Sequence, residues 1–203
     1  MTGGPVNRRV ALGSVAGLGV AAMAGRLWDR PQVAPLLHGD ATPRHGGRIR
    51  VASTSTSTGD TLDPARGALN TDYVRHFMLY SGLTELDRHL NAQPALAESL
   101  TSSDRKVWHA TLRKGVTFHN GKSLSAKDVV HSLLRHKDPR VGSKMADIAR
   151  QFADVRAIGP LEVCITLTGP NADLPVILAQ SHVLVMDAEH KGPRPADGTG
   201  AVR

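Results

Sequence analysis

Residues 106–130 read KVWHATLRKGVTFHNGKSLSAKDVV, and each part of this run predicts a regular element of structure. Trp108, Ala110 and Leu112 alternate with polar residues, a period of two that is typical of a strand with one apolar face. The Asn-Gly pair at 120–121 then supplies residues that tolerate a positive φ, which indicates a tight turn. The run therefore predicts a half-buried strand followed by a turn.

The second half of the same run predicts the start of a helix. Ser125 is a favourable N-cap, and Asp128 completes a capping box that satisfies amide groups otherwise left unpaired. Leu124 and Val129 are spaced for a hydrophobic staple across this cap. Pro139 is expected to end the helix. Before it, the apolar stripe continues through Val130, Leu133 and Leu134.

Further elements are predicted on both sides of this run. A helix is expected at 70–80, with an aromatic stripe that is more often core than binding surface: Tyr73, Phe77 and Tyr80. Ser143 is expected to cap a helix with an inward-facing set made of Met145, Ile148, Ala149 and Phe152. Strands are expected at 48–53, 83–86, 155–158, 161–168 and 181–186, and the Gly159-Pro160 pair predicts an antiparallel hairpin. The pattern predicts an α/β chain of mixed α+β type.

Charge and motif content argue against several classes of function. The 25 Lys and Arg exceed the 18 Asp and Glu by seven, but no basic cluster is interleaved with stacking aromatics. The basic excess is therefore interpreted as a solvated surface, and no nucleic-acid partner is expected. The sequence has no Gly-x-Ser-x-Gly elbow, phosphate loop or His-Glu-x-x-His helix. We expect no catalytic residue, no cofactor and no enzymatic activity.

The ten histidines do not predict a metal site. His131 and His136 are five residues apart, whereas a spacing of four would stack two imidazoles on one helix face. His109 and His119 flank a turn, and no carboxylate lies at metal-ligand spacing from either. Surface histidines are the favoured interpretation, and no metal is expected.

The first residues predict export. An Arg-Arg pair at 8–9 precedes the apolar run 10–24, which is short for a membrane span, and Ala-Met-Ala at 22–24 offers a cleavage site. Residues 1–24 resemble a twin-arginine leader, with Sec export and an uncleaved anchor as alternatives. Cys164 is the only cysteine, so no internal disulfide can form and no lipid anchor is expected at the cleavage site. The predicted location is periplasmic.

Seven short motifs occur in order along the chain, at 46–52, 62–65, 82–87, 94–99, 108–130, 169–175 and 198–200. Together they resemble the extracytoplasmic solute-binding proteins of peptide and nickel ABC importers. The resemblance implies a periplasmic-binding-protein-like class with an extra small subdomain and an incomplete second lobe. The implied domains are an export signal at 1–24, a flexible linker at 25–45, the first strand and ligand loop of lobe I at 46–65, a small α/β subdomain at 66–178, and a return to lobe I at 179–203.

The resemblance also implies a function. The chain would be the substrate-binding component of an ABC importer, with peptides or other small polar solutes as ligands and the permease subunits as partners. It would be a monomer that meets the membrane only through the permease or an uncleaved leader. The alternative is a secreted protein-interaction module without solute binding.

The resemblance assigns candidate ligand residues in the hydroxyl-rich loop 53–59. Composition alone indicates only a solvated loop, but in this family the segment after the first strand lines the cleft. The candidates are Ser55, Thr56, Ser57 and, with less support, Tyr80. Because family members continue past the Gly-Thr-Gly motif at 198–200, the chain is interpreted as an amino-terminal fragment. Alone it is expected to bind no peptide in a calorimetric titration.

Overall fold

A computed structural model describes residues 50–189 and 198–200. The described residues after Arg50 belong to one compact unit. The export signal and the linker predicted at 1–24 and 25–45 lie outside the described residues. The domain boundaries placed at 65 and 178 stay a prediction.

The core of this unit is built on one antiparallel sheet. A small hairpin, β1 (Thr84–Leu86) and β2 (Ala92–Pro94), precedes the four strands β3 (Ala97–Thr101), β4 (Val107–Leu112), β5 (Phe152–Gly159) and β6 (Glu162–Leu167). The sheet order is β3-β4-β6-β5. Trp108 on β4 pairs with Ile165 on β6, and Ala110 pairs with Val163. All four of these side chains are buried, and the alternation predicted for β4 is confirmed. The predicted hairpin is confirmed by the antiparallel pairing of β5 with β6, although Cys164, between Val163 and Ile165, is buried too.

Four α-helices accompany the sheet among the described residues: α1 (Asn70–Leu79), α2 (Ala126–Leu134), α3 (Ala146–Ala149) and α4 (Leu174–Ile177). Three single turns of 3₁₀-helix lie at Pro64–Arg66, Arg135–Lys137 and Pro139–Val141. Helix α2 packs across β5 and β6 and buries Val129 and Leu133 in the main core. The structure is thus a mixed α/β fold, as the sequence predicts.

The turn and the cap that precede α2 are confirmed. Gly121 has a φ of +86°, and its N–H donates to the carbonyl oxygen of Phe118 at 2.9 Å. The carboxylate of Asp128 accepts the N–H of Ser125 at 2.9 Å, which completes the capping interaction. The helix ends five residues before Pro139, at Leu134, because a 3₁₀ turn replaces its last turn.

Two predicted strands are wrong. Residues 50–53, the described part of the strand expected at 48–53, pair with no described strand, and Val51 is 62% exposed. The segment 181–186 is buried but irregular, because its amides do not form a ladder. The N–H of Val185 donates to Ser81, whereas the N–H of Met186 donates to the hydroxyl of Ser132. Apolar sequence predicts burial, but a strand also needs a neighbour to supply partners.

Two predicted helix faces are also partly wrong. On α1, Phe77 is 54% exposed, and the buried residues of the helix are the polar Thr71, Asp72 and His76. The helix expected after Ser143 is only the four residues of α3. Its Ile148 is 42% exposed, and Phe152 begins β5 instead of continuing the helix. In both cases part of the predicted apolar face, Phe77 on α1 and Ile148 on α3, is exposed, because periodicity identifies an apolar face but not whether another element packs against it.

Candidate functional site

The hydroxyl-rich loop is tied to the start of helix α1. The hydroxyls of Ser53 and Ser55 lie against the hydroxyl of Thr71, which donates to the carbonyl oxygen of Ser55. Farther along, the N–H of Ser57 donates to the carboxylate of Asp60 at 2.8 Å. These contacts fix the backbone of the loop, so its exposed groups are held in place before any ligand arrives.

The three candidate loop residues differ in how much of their hydrogen-bonding capacity is in use. Ser55 is half-buried against Thr71, and the hydroxyl of Ser57 accepts the N–H of Gly59 at 3.1 Å. The side chain of Thr56 is exposed and forms no hydrogen bond with another residue of the described part. Among the three candidates, Thr56 is therefore the one whose hydroxyl is free to meet a polar solute.

Tyr80 lies apart from this loop. It follows the far end of α1, nine residues beyond Thr71, which corresponds to about 13 Å along the helix axis. Its ring is buried, and its hydroxyl donates to the carbonyl oxygen of Leu62 at 3.0 Å. Together with Phe77 it lines a cleft of about 380 Å³ that also contains Glu85 and Arg113. The structure brings the three loop residues together and places Tyr80 at a different site.

A buried polar pair on α1 holds the chain between the loop and the helix. The carboxylate of Asp72 accepts the amide N–H groups of Thr61, Ala68 and Leu69 at 3.1–3.3 Å. Burial alone would raise the pKa of Asp72, but these amides outweigh it and hold the pKa below its usual value. Nε2 of His76 donates to the carbonyl oxygen of Thr61 at 3.0 Å, since a carbonyl can only accept.

This pair was missed by the sequence reasoning. Asp72 and His76 are four residues apart, so they share a face of α1, but a polar face usually indicates solvent. Buried His76 and His136 also show that the interpretation of the histidines as surface residues is wrong for these two. Burial and the neighbouring cation Arg135 lower the pKa of His136 to about 4.

A second buried network surrounds Lys122, which follows the Asn-Gly turn. Its Nζ lies 3.1 Å from Asp128 Oδ1 and 2.5 Å from Asp187 Oδ1. Asn120 donates to the other oxygen of Asp187 at 3.0 Å, and the N–H of Ala188 donates to Asp128 at 3.0 Å. The network fastens the segment 186–189 onto the start of α2.

The protonation states of this network follow from its geometry. Burial alone would raise the pKa of Asp128 and of Asp187. The hydrogen bonds from Ser125 and Ala188 to Asp128, and from Lys122 to both, outweigh burial and lower both values. Burial opposes the charge of Lys122, but its bonds to Asp187 and Asp128 raise its pKa. The site is therefore a fixed set of charges near neutral pH.

The loop 60–69 is fastened to the end of α2 by an ion pair. The two terminal nitrogens of the Arg135 guanidinium, Nη1 and Nη2, donate to the carboxylate of Asp63, at 2.8 and 2.7 Å. Burial alone would raise the pKa of Asp63, but this bidentate pair outweighs it and lowers the pKa. Within the 62–65 motif, Asp63 thus has a structural role, because its ion pair holds this segment against the end of α2.

The Gly-Thr-Gly motif at 198–200 docks by its backbone. His119 donates its N–H to Gly198 and its Nε2 hydrogen to the carbonyl oxygen of Gly200, both at 2.9 Å. The N–H of Gly200 donates to Leu79 at 2.9 Å. A Cβ on Gly198 would overlap the carbonyl oxygen of Leu79, so only glycine allows this approach.

Residues 50–189 and 198–200 contain no group of three or more His, Cys, Asp or Glu side chains arranged to hold a metal ion. Within the same ranges, every helix is too short or too polar to cross a bilayer.

Comparisons with a family model and with curated proteins both match this chain to binding proteins. The family model described as bacterial extracellular solute-binding proteins, family 5 Middle, matches residues 91–201, more than half of the chain. The glutathione-binding protein GsiB of Escherichia coli strain K12 is 35% identical over 122 residues, which cover 59% of this chain and 23% of that protein. The chain thus spans about a quarter of the length of the curated relatives it matches.

Solved structures share the fold. The Escherichia coli murein tripeptide binding protein MppA aligns with a TM-score of 0.65 at 22% identity, over 70% of this chain and 33% of that chain. The periplasmic binding protein DppA of Helicobacter pylori, in complex with the peptide STSA, aligns with a TM-score of 0.57 at 27% identity, over 64% of this chain and 29% of that chain. The predicted periplasmic-binding-protein-like class is confirmed.

Proposed function

Because the chain belongs to family 5 of the bacterial extracellular solute-binding proteins, we propose that it is the substrate-binding component of an ABC importer for peptides or similar small polar solutes. The observation that carries this proposal is the family match at 91–201, which includes β4, β6 and the capped helix α2. The ligand class is supported by relatives that are named for glutathione and a murein tripeptide, and by one that holds a peptide.

The solute would meet the loop through Ser55, Thr56 and Ser57. Support comes from the exposed hydroxyl of Thr56 and from the contacts of its neighbours with Thr71 and Asp60, which hold the loop in one shape. Tyr80 would act separately, through the cleft that it lines with Phe77. Solute contacts on both lobes would then stabilise the closed population of the whole binding protein.

The remaining parts of the proposal concern location and chemistry. The chain would be exported to the periplasm without a lipid anchor, act as a monomer and deliver solute to permease subunits. It would touch the membrane only through the permease or an uncleaved leader. Delivery needs reversible binding alone, so no bond of the solute would be made or broken.

Nuclear magnetic resonance is the test, since it maps weak binding to residues. The 203-residue chain is titrated with the peptide Ser-Thr-Ser-Ala and with glutathione. We expect shifts of the amides at 53–59 that Thr56→Val reduces and Thr111→Val, on the exposed face of β4, leaves unchanged. Calorimetry should show no micromolar binding. Shifts confined to other regions, or unaltered in Thr56→Val, would contradict the loop assignment.

One observation favours the interaction-module alternative. Val74 and Phe77 are three residues apart on α1, both substantially exposed, and form an apolar pair on the outer face of the helix. If no amide of the loop shifts with any peptide, and if Phe77→Ser abolishes cross-linking to the permease subunits, this alternative replaces solute binding.

A further inference from the structure

A second cleft, of about 270 Å³, lies between the loop 59–66 and the turn that follows α2. Three of its lining side chains are cations, Arg66, Arg140 and Lys144, and the rest of the lining is small or polar. Two glycines, Gly59 and Gly142, leave room in the lining for a ligand. None of Ser55, Thr56 and Ser57 lines this cleft, so its role does not depend on the function proposed above.

The backbone brings the cations together. The N–H of Lys144 donates to the carbonyl oxygen of Ala65 at 2.9 Å, so Lys144 lies beside Arg66 although the two are far apart in sequence. The chain reaches this position because Gly142, with a φ of +63°, reverses direction after the 3₁₀ turn Pro139–Val141. Arg140 lies within that turn. The arrangement is therefore a consequence of the fold and not of a run of basic sequence.

The cations are not balanced by acidic side chains. Arg140 is paired with Asp138 at 2.7 Å. Neither the guanidinium of Arg66 nor the ammonium of Lys144 forms a hydrogen bond or an ion pair with another residue in the described ranges. Three cations against one carboxylate leave an excess of two positive charges at the cleft.

Neighbouring carboxylates are already engaged elsewhere. Asp63 interacts electrostatically with Arg66, but both of its carboxylate oxygens accept hydrogen bonds from Arg135. Asp60, next to the lining residue Gly59, pairs with Arg75 at 3.2 Å. Cations that outnumber the carboxylates beside them repel each other, and an anion bound between them lowers that repulsion.

We propose that this cleft binds a small oxyanion, of which phosphate is the probe, through Arg66 and Lys144 with Arg140 beside them. The fork of a guanidinium matches two oxygens of such an anion, and the ammonium supplies a point charge to a third. The anion would be free in solution or carried by a lipid headgroup, since both present the same chemistry.

The test titrates the full 203-residue chain with inorganic phosphate at constant ionic strength. Amide shifts at Arg66, Gly142 and Lys144 should saturate in the millimolar range. Arg66→Gln and Lys144→Gln should each weaken binding by about tenfold or more. Lys127→Gln, a change of an exposed cation on α2, should leave binding unchanged. Because the substituted residues Arg66, Lys144 and Lys127 are all exposed, the thermal unfolding midpoint of each variant should equal that of the wild type, which shows that the fold is intact.

A parallel arm measures co-sedimentation with phosphatidylcholine vesicles, with and without phosphatidylglycerol. Saturable phosphate binding identifies a free anion. Binding to the anionic vesicles alone, lost in Lys144→Gln, identifies a headgroup. The proposal is overturned if chloride has the same effect as phosphate, if Lys127→Gln causes the same loss as Lys144→Gln, or if phosphate binding does not saturate and the anionic vesicles are not bound either.

Discussion

Replacing Lys122 by methionine would test the buried charge network most directly. The substitution keeps the length of the side chain and removes the cation between two carboxylates that are 0% and 4% exposed. With an effective dielectric constant of about 20, the contacts at 3.1 and 2.5 Å correspond to gross attractions of about 5 and about 7 kcal/mol. Desolvation offsets much of this, and breaking such a pair costs about 3–5 kcal/mol.

Urea unfolding at pH 7, followed by tryptophan fluorescence, measures this loss. In the wild type, the lowered pKa values of Asp128 and Asp187 contribute stability above the unfolded value near 3.8, and this contribution is lost as the pH falls through the folded values. Without the lysine both folded pKa values rise. In Lys122→Met, one of the two carboxylates can therefore take up a proton at pH 5. The difference in unfolding free energy between the variant and wild type should be smaller at pH 5 than at pH 7.

Two controls separate charge from packing. Lys127→Met changes an exposed lysine of α2 and should shift the free energy of unfolding by less than about 0.5 kcal/mol. Adding Asp187→Asn to Lys122→Met should recover part of the loss, because the two residues are in contact. The reasoning is refuted by a loss under about 1 kcal/mol at pH 7, or by a loss that is independent of pH.

Three further predictions address other parts of the structure. The pKa of His136 is about 4 in the folded chain, against an ordinary value of 6.5 for histidine. As the pH falls, the imidazole is therefore protonated in the unfolded chain before it is protonated in the folded chain. The contribution of neutral His136 to the free energy of unfolding is complete above pH 6.5. Urea titrations should show that this free energy falls by up to about 3 kcal/mol as the pH falls to 4. His136→Gln should make the free energy of unfolding depend less on pH, whereas His109→Gln, at an exposed site, should leave that dependence unchanged. Gly198→Ala should undock the Gly-Thr-Gly motif from Leu79, seen as faster amide exchange at Gly200, with a small effect on global stability. Ile165→Ala, at a fully buried position of β6, should cost about 2–5 kcal/mol in the same urea assay.

Several elements could be predicted because their causes are local. The alternation on β4 determines which side chains are buried wherever the strand pairs, and the cap at Ser125 and Asp128 depends on residues three apart. The positive φ of Gly121 follows from the turn residues themselves. These signals act within a few residues and need no knowledge of the rest of the chain.

The candidate site could be predicted only in outline. The hydroxyl content of the loop shows that polar groups are present, but not that Ser55 and Ser57 already bond to Thr71 and Asp60 while Thr56 does not. The sequence placed Tyr80 in an aromatic stripe on the helix expected at 70–80 and named it beside the loop residues as a ligand candidate. In the structure it lines a separate cleft that contains none of those loop residues. Which hydroxyl remains available depends on partners that only the folded chain supplies.

By itself, the sequence determined the capped helix, the alternating strands, the turn and, through its ordered motifs, the family. Only the tertiary structure decided that Lys122 meets Asp187, that Lys144 lies beside Arg66, and that the apolar segment 181–186 is not a strand. The physical reason is the range of the interactions. Caps and periodicities are satisfied within one or two turns of chain, whereas ion pairs, ladders and clefts depend on groups that are distant in sequence until the chain folds.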